Sequence, residues 1–405
     1  MSSVATIDRV AREATGRLVA LLARRSGDLA LAEDAMSTAL VAALEQWPRD
    51  GVPRDPEGWL YTVARRALVG HWRRAEVRQR KSAALKQFQA LQAEMRPQEE
   101  GWPDERLPLL FVCAHPAIAP AIRAPLMLQS ILGMTAEELG PLMGVSPGTI
   151  GQRLWRAKVK IKAAAIPFVV PARAQLPGRL DAVLDAIYGL YGVGWGQRGR
   201  AAFAQEALWL SEVVCGLLPD APEALGLRAL LLFSESRRAA GRDARGAYVP
   251  LDAQDPGRWD AVQIALANAT LRRARGAGVL GPFQLEAAIQ SALVHGRRQG
   301  AVDHAAIVAL YDGLVQLAPT LGIRVGRAAA MAEHQGGAVG LAALEAIEGA
   351  GRFQPWWAVR ADLLRRMGQI EAAKDAYDRA ISLSADPAVR TFLEGRRDQG
   401  EAEDR

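Results

Sequence analysis

A run of polar and basic side chains between Ser146 and Lys162 has the composition of a surface that binds a polyanion. The run contains five basic residues and no acidic one. On a helical wheel of 100° per residue, most of its polar members share one sector about 100° wide. These members are Thr149, Gln152, Arg153, Arg156 and Lys160. Such a face suits the DNA major groove, where side chains read base edges and cations hold phosphates, and we add Ser146 and Lys158 to the candidate DNA-binding residues.

The residues before this run predict one of the two helices that would present it. Thr135 and Glu138 have the spacing of a capping box, in which a hydroxyl and a carboxylate satisfy the first backbone amides of a helix. We therefore expect a helix to begin at Ala136. Leu139 and Leu142 give this helix a buried face.

A second helix is predicted immediately after a glycine turn. Gly144 ends the first helix, while Ser146 and Pro147 suit the cap and the first position of the next. Two helices joined by a tight turn have the geometry of a DNA-binding helix-turn-helix. The apolar residues of the second helix form a stripe about 60° wide that should pack inward: Ile150, Leu154, Ala157 and Ile161. The alternative is a solvated amphipathic helix with no partner.

A second basic cluster lies between Arg65 and Lys81, with seven basic residues and one acid, Glu76. Trp59 and Trp72 are interleaved with its arginines. Aromatic rings that stack on unpaired bases, beside cations that hold the backbone, suit single-stranded or opened DNA. The alternative is that both tryptophans are core residues.

Charge and composition limit the class of protein. Residues 1–170 carry 23 Lys and Arg against 17 Asp and Glu, whereas residues 171–405 carry 27 against 27. No apolar run approaches the roughly 18 residues of a membrane span, and no signal peptide is recognisable, so we expect a soluble cytoplasmic protein without a membrane partner. Cys113 and Cys215 are too few for a zinc site or disulfide framework. No catalytic, metal-binding or cofactor-binding set emerges, so we do not expect an enzyme.

The whole chain follows helical periodicity, which predicts an all-α protein. Two small helical domains are expected at 1–82 and 105–166, joined by a polar linker at 83–104. A larger helical domain should occupy 172–397. Within the first domain, the three prolines and the glycine of 47–56 favour a loop between two helices.

Several segments resemble a known family. Gly27 to Ala35 and Gly58 to Arg65 resemble sigma region 2, and Thr135 to Lys158 resembles sigma region 4. The order and spacing are similar to those of extracytoplasmic-function (ECF) sigma factors of RNA polymerase. Cys113 to Ala117 and Asp252 to Trp259 are similar to the ECF group with a C-terminal tetratricopeptide-like extension.

The resemblance implies a function and assigns residues to it. A sigma factor binds the β′ clamp and β flap of core RNA polymerase and directs it to promoter DNA. The residues that fall in the polymerase-binding helix are Glu33, Asp34, Leu40 and Trp47. The residues that would contact the −10 element are Arg49, Arg54, Trp59, Arg65, Arg66, His71, Trp72, Arg73 and Arg74. The region 4 helix-turn-helix would bind the −35 element.

The chain departs from the family pattern at two places. Ser37 and Thr38 stand where the family usually has Gln and an acid, and Gly70 and His71 stand where it has an Asp-Arg pair. These departures bear on polymerase affinity and on −10 preference.

The C-terminal part contains one clear pair of helices with tetratricopeptide spacing. Its signature residues are Trp357, Ala361, Leu364, Gly368, Ala373, Tyr377 and Ala380. Stacked helix pairs leave a groove that suits a protein or peptide partner, so we expect this domain to regulate the sigma regions. The alternatives are that it only braces them, or that the chain is a helix-turn-helix regulator with a helical sensory domain that does not join polymerase.

Overall fold

The computed structural model describes residues 3–79, 106–163, 171–196, 201–276 and 278–402. All regular elements among them are helices, as the sequence predicts. The chain divides into two compact units, Met1–Val193 and Gly194–Arg405. The predicted linker at 83–104 and most of the connector before Pro171 lie outside the described residues.

The first unit begins with three helices that pack on one another: α1 (Ser3–Ser26), α2 (Leu29–Asp50) and α3 (Pro56–Gln79). The side chain of Asp28 caps α2 by accepting a hydrogen bond from the Leu31 amide at 3.0 Å. The buried residues of α2 recur at three and four, as one core-facing stripe requires: Leu29, Ala32, Ala35, Met36, Ala39, Ala43 and Trp47. Four of these are alanines, which allow the neighbouring helices to approach closely.

Helix α2 continues through Pro48, so the predicted loop at 47–56 is wrong for its first four positions. A proline in a helix interior removes a hydrogen bond and clashes with the preceding turn. Pro48 lies in the last turn, where the helix stops two residues later at Asp50. Gly51 then takes φ 86° and donates its amide to the Trp47 carbonyl at 3.1 Å. The positive φ explains why glycine ends the helix.

Four shorter helices follow in the same unit: α4 (Arg106–Cys113), α5 (Pro120–Ser130), α6 (Ala136–Leu142) and α7 (Pro147–Ala163). Every residue of α4 after Arg106 is buried, which makes α4 the centre of this group. Helix α5 contributes Leu126, Met127 and Leu128 to the core. Helices α6 and α7 pack on each other and on α5, so α4 and α5 support the pair.

Helix α8 (Leu180–Gly196) belongs to the first unit as far as Val193. The Arg179 guanidinium, just before it, donates to the Phe111 carbonyl in α4 at 3.0 Å. A Cβ placed on Gly189 would lie 3.3 Å from the side chains of both Leu128 and Leu142. The sequence predicts a domain that starts at 172, yet α8 contacts α5 and α6 through Gly189, and Arg179 just before it contacts α4.

The second unit is a succession of ten helices within its described residues. They are α9 (Ala201–Leu217), α10 (Pro222–Glu235), α11 (Ala261–Arg275), α12 (Pro282–Gln299), α13 (His304–Leu317), α14 (Leu321–Gln335), α15 (Gly337–Glu345), α16 (Gln354–Arg366), α17 (Ile370–Leu383) and α18 (Pro387–Ala402). Most of these helices pack against the next helix along the chain. No helix in the described part of the protein is long and apolar enough to cross a membrane.

The core of the second unit is divided into local clusters. One cluster around Leu314 joins α12, α13 and α14, and the next, around Leu344, joins α14, α15 and α16. A third, around Tyr377, joins α16, α17 and α18. Six of the seven tetratricopeptide signature residues belong to this third cluster, and Gly368 forms the turn with φ 74°. A core shared between successive helices is typical of stacked arrays.

A long segment between α10 and α11, residues 237–260, is ordered by its own polar side chains. The Trp259 indole donates to Gln254 Oε1 at 3.2 Å. Arg242 forms an ion pair with Asp386, just before α18. The segment therefore contacts residues close to the last helix of this unit. Within the segment, Arg258 of the Asp252 to Trp259 motif donates to the Ala239 carbonyl at 2.8 Å.

Candidate functional site

The α6–α7 pair is built by the capping interactions that its sequence predicts. The Thr135 amide donates to Glu138 Oε2 at 2.6 Å, and the Glu138 amide donates to Thr135 Oγ1 at 3.3 Å, which confirms the capping box. Gly144 takes φ 65° in the turn. Ser146 Oγ then accepts the Thr149 amide at 3.2 Å. These local bonds fix where α7 begins and therefore which of its side chains face outward.

Helix α7 separates an apolar face from a cationic one. Ile150 and Leu154 are buried, and Ala157 and Ile161 are half-buried, as the predicted stripe requires. The exposed candidates for DNA binding are Ser146, Gln152, Arg153, Arg156 and Lys160, and Thr149 is half-buried. Three cations on one exposed face with no acid among them produce a local positive potential. This face can hold phosphates and reach base edges without rearrangement of the helix.

Lys158 is the exception among the predicted DNA-binding residues. Its Nζ donates to both carboxylate oxygens of Glu33 in α2, each at 2.9 Å, and to Gln129 Oε1 in α5 at 3.0 Å. The side chains of Lys158 and Glu33 are 20% and 23% exposed. The structure therefore brings together one predicted DNA-binding residue and one predicted polymerase-binding residue.

The remaining predicted polymerase-binding residues differ in accessibility. Asp34 is exposed and Leu40 is half-buried. Trp47 is only 2% exposed and packs edge-on against Trp59, with ring centroids 5.5 Å apart. Trp47 is therefore a core residue here, and it is not part of the surface offered to a partner.

The predicted −10 contacts lie at the end of α2 and along α3. Arg49, Arg54, Arg65, Arg66 and His71 are all exposed. Trp59 is half-buried against Trp47, so its ring supports the core on one side. Trp72, Arg73 and Arg74 fall in the last turns of α3, where side chains lie outside the described residues.

The loop that precedes α3 ends at Asp55, whose side chain caps the N-terminus of the helix. Asp55 Oδ1 accepts the Gly58 amide at 2.9 Å. A Cβ on Gly58 would lie 2.2 Å from Asp55 Oδ2, so a larger residue here would require the Asp55 side chain to shift. The Asp55 cap therefore determines where α3 begins, directly after the loop that contains Arg54.

Two exposed apolar pairs were missed by the sequence reasoning. Val41 and Leu44 of α2 are 54% and 50% exposed, and Trp155 and Val159 of α7 are 66% and 47% exposed. Each pair lies one turn apart on the outer side of its helix. The available signal was their position outside the buried stripe of each helix, since apolar residues there have no core to fill.

Cys113 lies at the end of α4, beside the Lys158–Glu33 ion pair. Burial raises the pKa of its thiol from the ordinary 9.0 to about 12; the Glu33 carboxylate raises this pKa as well, and Lys158 opposes both. A thiolate at this position would be poorly solvated, so the sulfur stays protonated at neutral pH. Within the described residues, no three His, Cys, Asp or Glu side chains are placed to hold a metal ion.

We expect Cys113 to resist alkylation by iodoacetamide at pH 8 in the native protein and to react fully in denaturant. The unfolded thiol titrates near 9.0 and the folded one near 12, so the burial of Cys113 favours folding below pH 9. That contribution is lost as pH rises from 9 toward 12, because the unfolded state alone gives up the proton. Mass spectrometry of the Cys113 peptide measures both labelling rates, and native labelling at the free-cysteine rate contradicts the shielding.

Comparison with known proteins supports the predicted resemblance of the N-terminal residues to sigma region 2. Residues 11–78 match the sigma-70 region 2 family, and residues 179–275 match a family of unknown function, DUF6596. An uncharacterized protein of Rhizobium meliloti (strain 1021) is 32% identical over 97% of this chain and 95% of its own length. The ECF RNA polymerase sigma factor SigE of Mycolicibacterium smegmatis is 27% identical, over 38% of this chain and 60% of that protein. No solved structure matches the chain significantly.

The region 2 match covers most of α1, all of α2 and nearly all of α3, which carry the exposed arginines and the exposed face of α2. The SigE match adds a partial relationship to one ECF sigma factor. The similarity to the Rhizobium protein extends over nearly the whole chain, so the two proteins belong to one family through the C-terminal unit as well. The chain belongs to the family of this Rhizobium relative, and it is an ECF-like sigma factor with a C-terminal extension.

Proposed function

We propose that this protein binds core RNA polymerase and directs it to promoters, with α2 on the polymerase, α3 on the −10 element and α7 on the −35 element. The observation that carries the proposal is the pairing of a sigma region 2 match with a separate, exposed cationic helix face on α7. The α3 region and α7 can bind two separated promoter elements at the same time when polymerase fixes the distance between them. We expect this activity in the cytoplasm. We expect the β′ clamp and the β flap of polymerase to be the parts that the protein contacts.

The exposed side of α2 supports a polymerase contact. Asp34, Val41 and Leu44 follow one another at helical spacing on this side. Half-exposed aliphatic side chains next to a carboxylate provide both apolar area and a charge to orient a partner helix. A regulator that bound only duplex DNA would have no use for such a face.

The start of α3 supports contact with opened DNA. Arg65 and Arg66 are exposed one to two turns after Trp59, and Arg49 and Arg54 flank the short loop before the helix. Cations at these positions can hold a displaced strand while bases are unstacked, and a captured base lowers the cost of melting.

The C-terminal unit supports a regulatory role more than a DNA-binding one. Residues 194–405 carry 25 basic and 25 acidic side chains, so they lack the positive excess that nonspecific DNA affinity requires. A stacked helical array offers surface for a protein or peptide partner. We propose that this unit regulates the sigma regions by direct contact, as a tetratricopeptide-like domain.

The proposal predicts that the purified full-length protein converts core RNA polymerase from nonspecific to promoter-specific transcription. Promoters would be identified by sequencing the DNA that the protein retains together with core enzyme. Run-off transcription from those promoters is then compared with core enzyme alone and with the protein alone. Transcripts that start at the same sites without the protein contradict the proposal, as does DNA retention that is independent of polymerase.

A further inference from the structure

Helix α11 presents an apolar face to solvent. The helix packs mainly against α10 and α12, and its buried residues lie on that inner side: Ile264, Ala267, Thr270 and Ala274. The outer side is a sector about 140° wide on a wheel of 100° per residue. It consists of Ala261, Val262, Ala265, Leu266, Ala269, Arg272 and Arg273, all exposed except the half-buried Ala269. The outer side of a surface helix usually carries polar side chains, but this one has none before Arg272.

Two aliphatic side chains give this outer side of α11 its apolar area. Val262 is 80% exposed and Leu266, one turn later, is 44% exposed. Ala261, Ala265 and Ala269 follow one another at four-residue spacing beside them, and side chains this small let a second helix approach closely. Covering such a face releases free energy in proportion to the apolar area that is removed from water.

The loop after α11 adds two more exposed aliphatic side chains. Val279 and Leu280 are 66% and 61% exposed. The loop is nevertheless fixed, because Gln284 Nε2 donates to the Val279 carbonyl at 2.8 Å and Glu223 accepts the amides of Phe283 and Gln284 at 2.9 and 3.2 Å. Apolar side chains that a fixed backbone holds in water are typical of a surface that a partner covers.

The two ends of α11 carry charges of opposite sign. Asp255 and Asp260 are exposed at the start of the helix with one arginine, Arg258, between them, which leaves one net negative charge. The end of the helix carries three exposed arginines, and the sequence has no acidic residue from Ala261 to Gly281: Arg272, Arg273 and Arg275. An antiparallel copy of the same helix would place each start against an end, so opposite charges would meet twice, whereas a parallel copy would place like charges together.

We propose that α11 is the contact surface of a homodimer, in which the helix packs antiparallel on its copy about a twofold axis near Leu266. A surface that is complementary to itself in shape and charge is what such an axis requires. Helix α11 is about 22 Å long. With the Val279–Leu280 loops, the contact is near the lower end of stable interfaces, roughly 1,200 Å² in total, so we expect a reversible dimer with a dissociation constant of about 10 µM. This inference goes beyond the proposed function, and polymerase takes no part in its test.

Leu266→Arg and Leu317→Arg form a matched pair of variants. Both leucines are exposed on helices of the second unit, at 44% and 49%, and both changes add the same charge. Only Leu266 lies on the outer side of α11, where the arginines of the two copies would face each other across the axis. Arginine is a good helix former, so neither helix should melt. Circular dichroism and thermal unfolding of each variant establish that it is folded as wild type is.

Sedimentation velocity of the full-length proteins, from about 1 to 200 µM, measures the dimer. We expect wild type to shift from monomer to dimer over this range. Leu266→Arg should raise the dissociation constant about tenfold or more, and Leu317→Arg should leave it within about twofold. A wild type that stays monomeric at all concentrations overturns the inference. So does a dimer that a folded Leu266→Arg leaves intact, or that Leu317→Arg weakens equally.

Single cysteines at two positions test the antiparallel direction. About the proposed axis, Ala265 lies about 3 Å along the helix from its own copy, whereas Val262 lies about 12 Å from its copy. A disulfide needs Cα atoms within about 7 Å. Under mild oxidation, Ala265→Cys should therefore form far more covalent dimer than Val262→Cys. Wild type gives the background, because burial raises the thiol pKa of Cys113 to about 12 and that of Cys215 to about 11. Equal linkage of the two variants, or none above background, contradicts the proposed pairing.

Discussion

Ending the chain at Ala174 is expected to destabilise or unfold the α4–α7 group, whereas ending it at Val193 is expected to leave the first unit folded. The two versions differ by residues 175–193, which contain the short turns before α8 and most of α8 itself. That segment buries Leu176, Val183, Leu184, Ile187 and Leu190, each at 1% exposure or less. The Ala174 version removes all five side chains, so the residues that pack against them lose these contacts.

The size of the effect follows from this burial. A fully buried aliphatic side chain contributes about 1.5 to 3 kcal/mol, so five contribute roughly 7 to 15 kcal/mol. The loss of even part of this contribution approaches the total stability of an ordinary domain, which is about 5 to 15 kcal/mol. Leu128, which is fully buried and lies against Gly189, would also be exposed.

Thermal unfolding of both truncated proteins, followed by circular dichroism, measures the difference. We expect a cooperative transition for the Val193 version and an early or absent one for the Ala174 version. Equal melting temperatures contradict the assignment of α8 to the first unit. The Val193 version is also the proper partner for full-length protein in tests of regulation by the second unit, because it keeps the first unit whole.

Features set by neighbouring residues were predictable from the sequence. The capping box at Thr135 and the cap at Ser146 depend on hydrogen bonds that span three residues, so local spacing determines them. The buried stripe of α7 follows from helical periodicity for the same reason. The extension of α2 through Pro48 was missed because proline disfavours a helix interior, and the tertiary context that overrides this preference is not a local signal.

Features set by distant residues were not predictable. Lys158 lies between cations on the same helix, and only its partner in α2 reveals that it faces inward. The burial of Trp47 likewise depends on Trp59, which approaches from another helix. The predicted boundary at 172 followed the prolines of the connector, whereas the compact unit extends to Val193, and Gly189 lies against Leu128 of the same unit.

Replacement of Arg153 or Arg156 by alanine is expected to weaken promoter binding strongly, by about 1 to 3 kcal/mol for each residue. This corresponds to roughly 5- to 150-fold in the dissociation constant. Both side chains are exposed on α7, away from buried Ile150 and Leu154, so their removal leaves the core intact. Alanine is also a good helix former, so α7 itself should not melt.

The control is Arg173→Ala, which removes one exposed positive charge from the same unit but outside α7. Binding of the polymerase complex to promoter fragments is measured for all three variants over a range of salt concentrations. Replacing a residue that holds a phosphate should lower the salt dependence of binding and weaken binding to all sequences alike. Replacing a residue that reads a base should relax specificity at one position of the −35 element. Equal weakening by Arg173→Ala would mean that only overall charge matters. In that case α7 would not be the helix that reads the promoter.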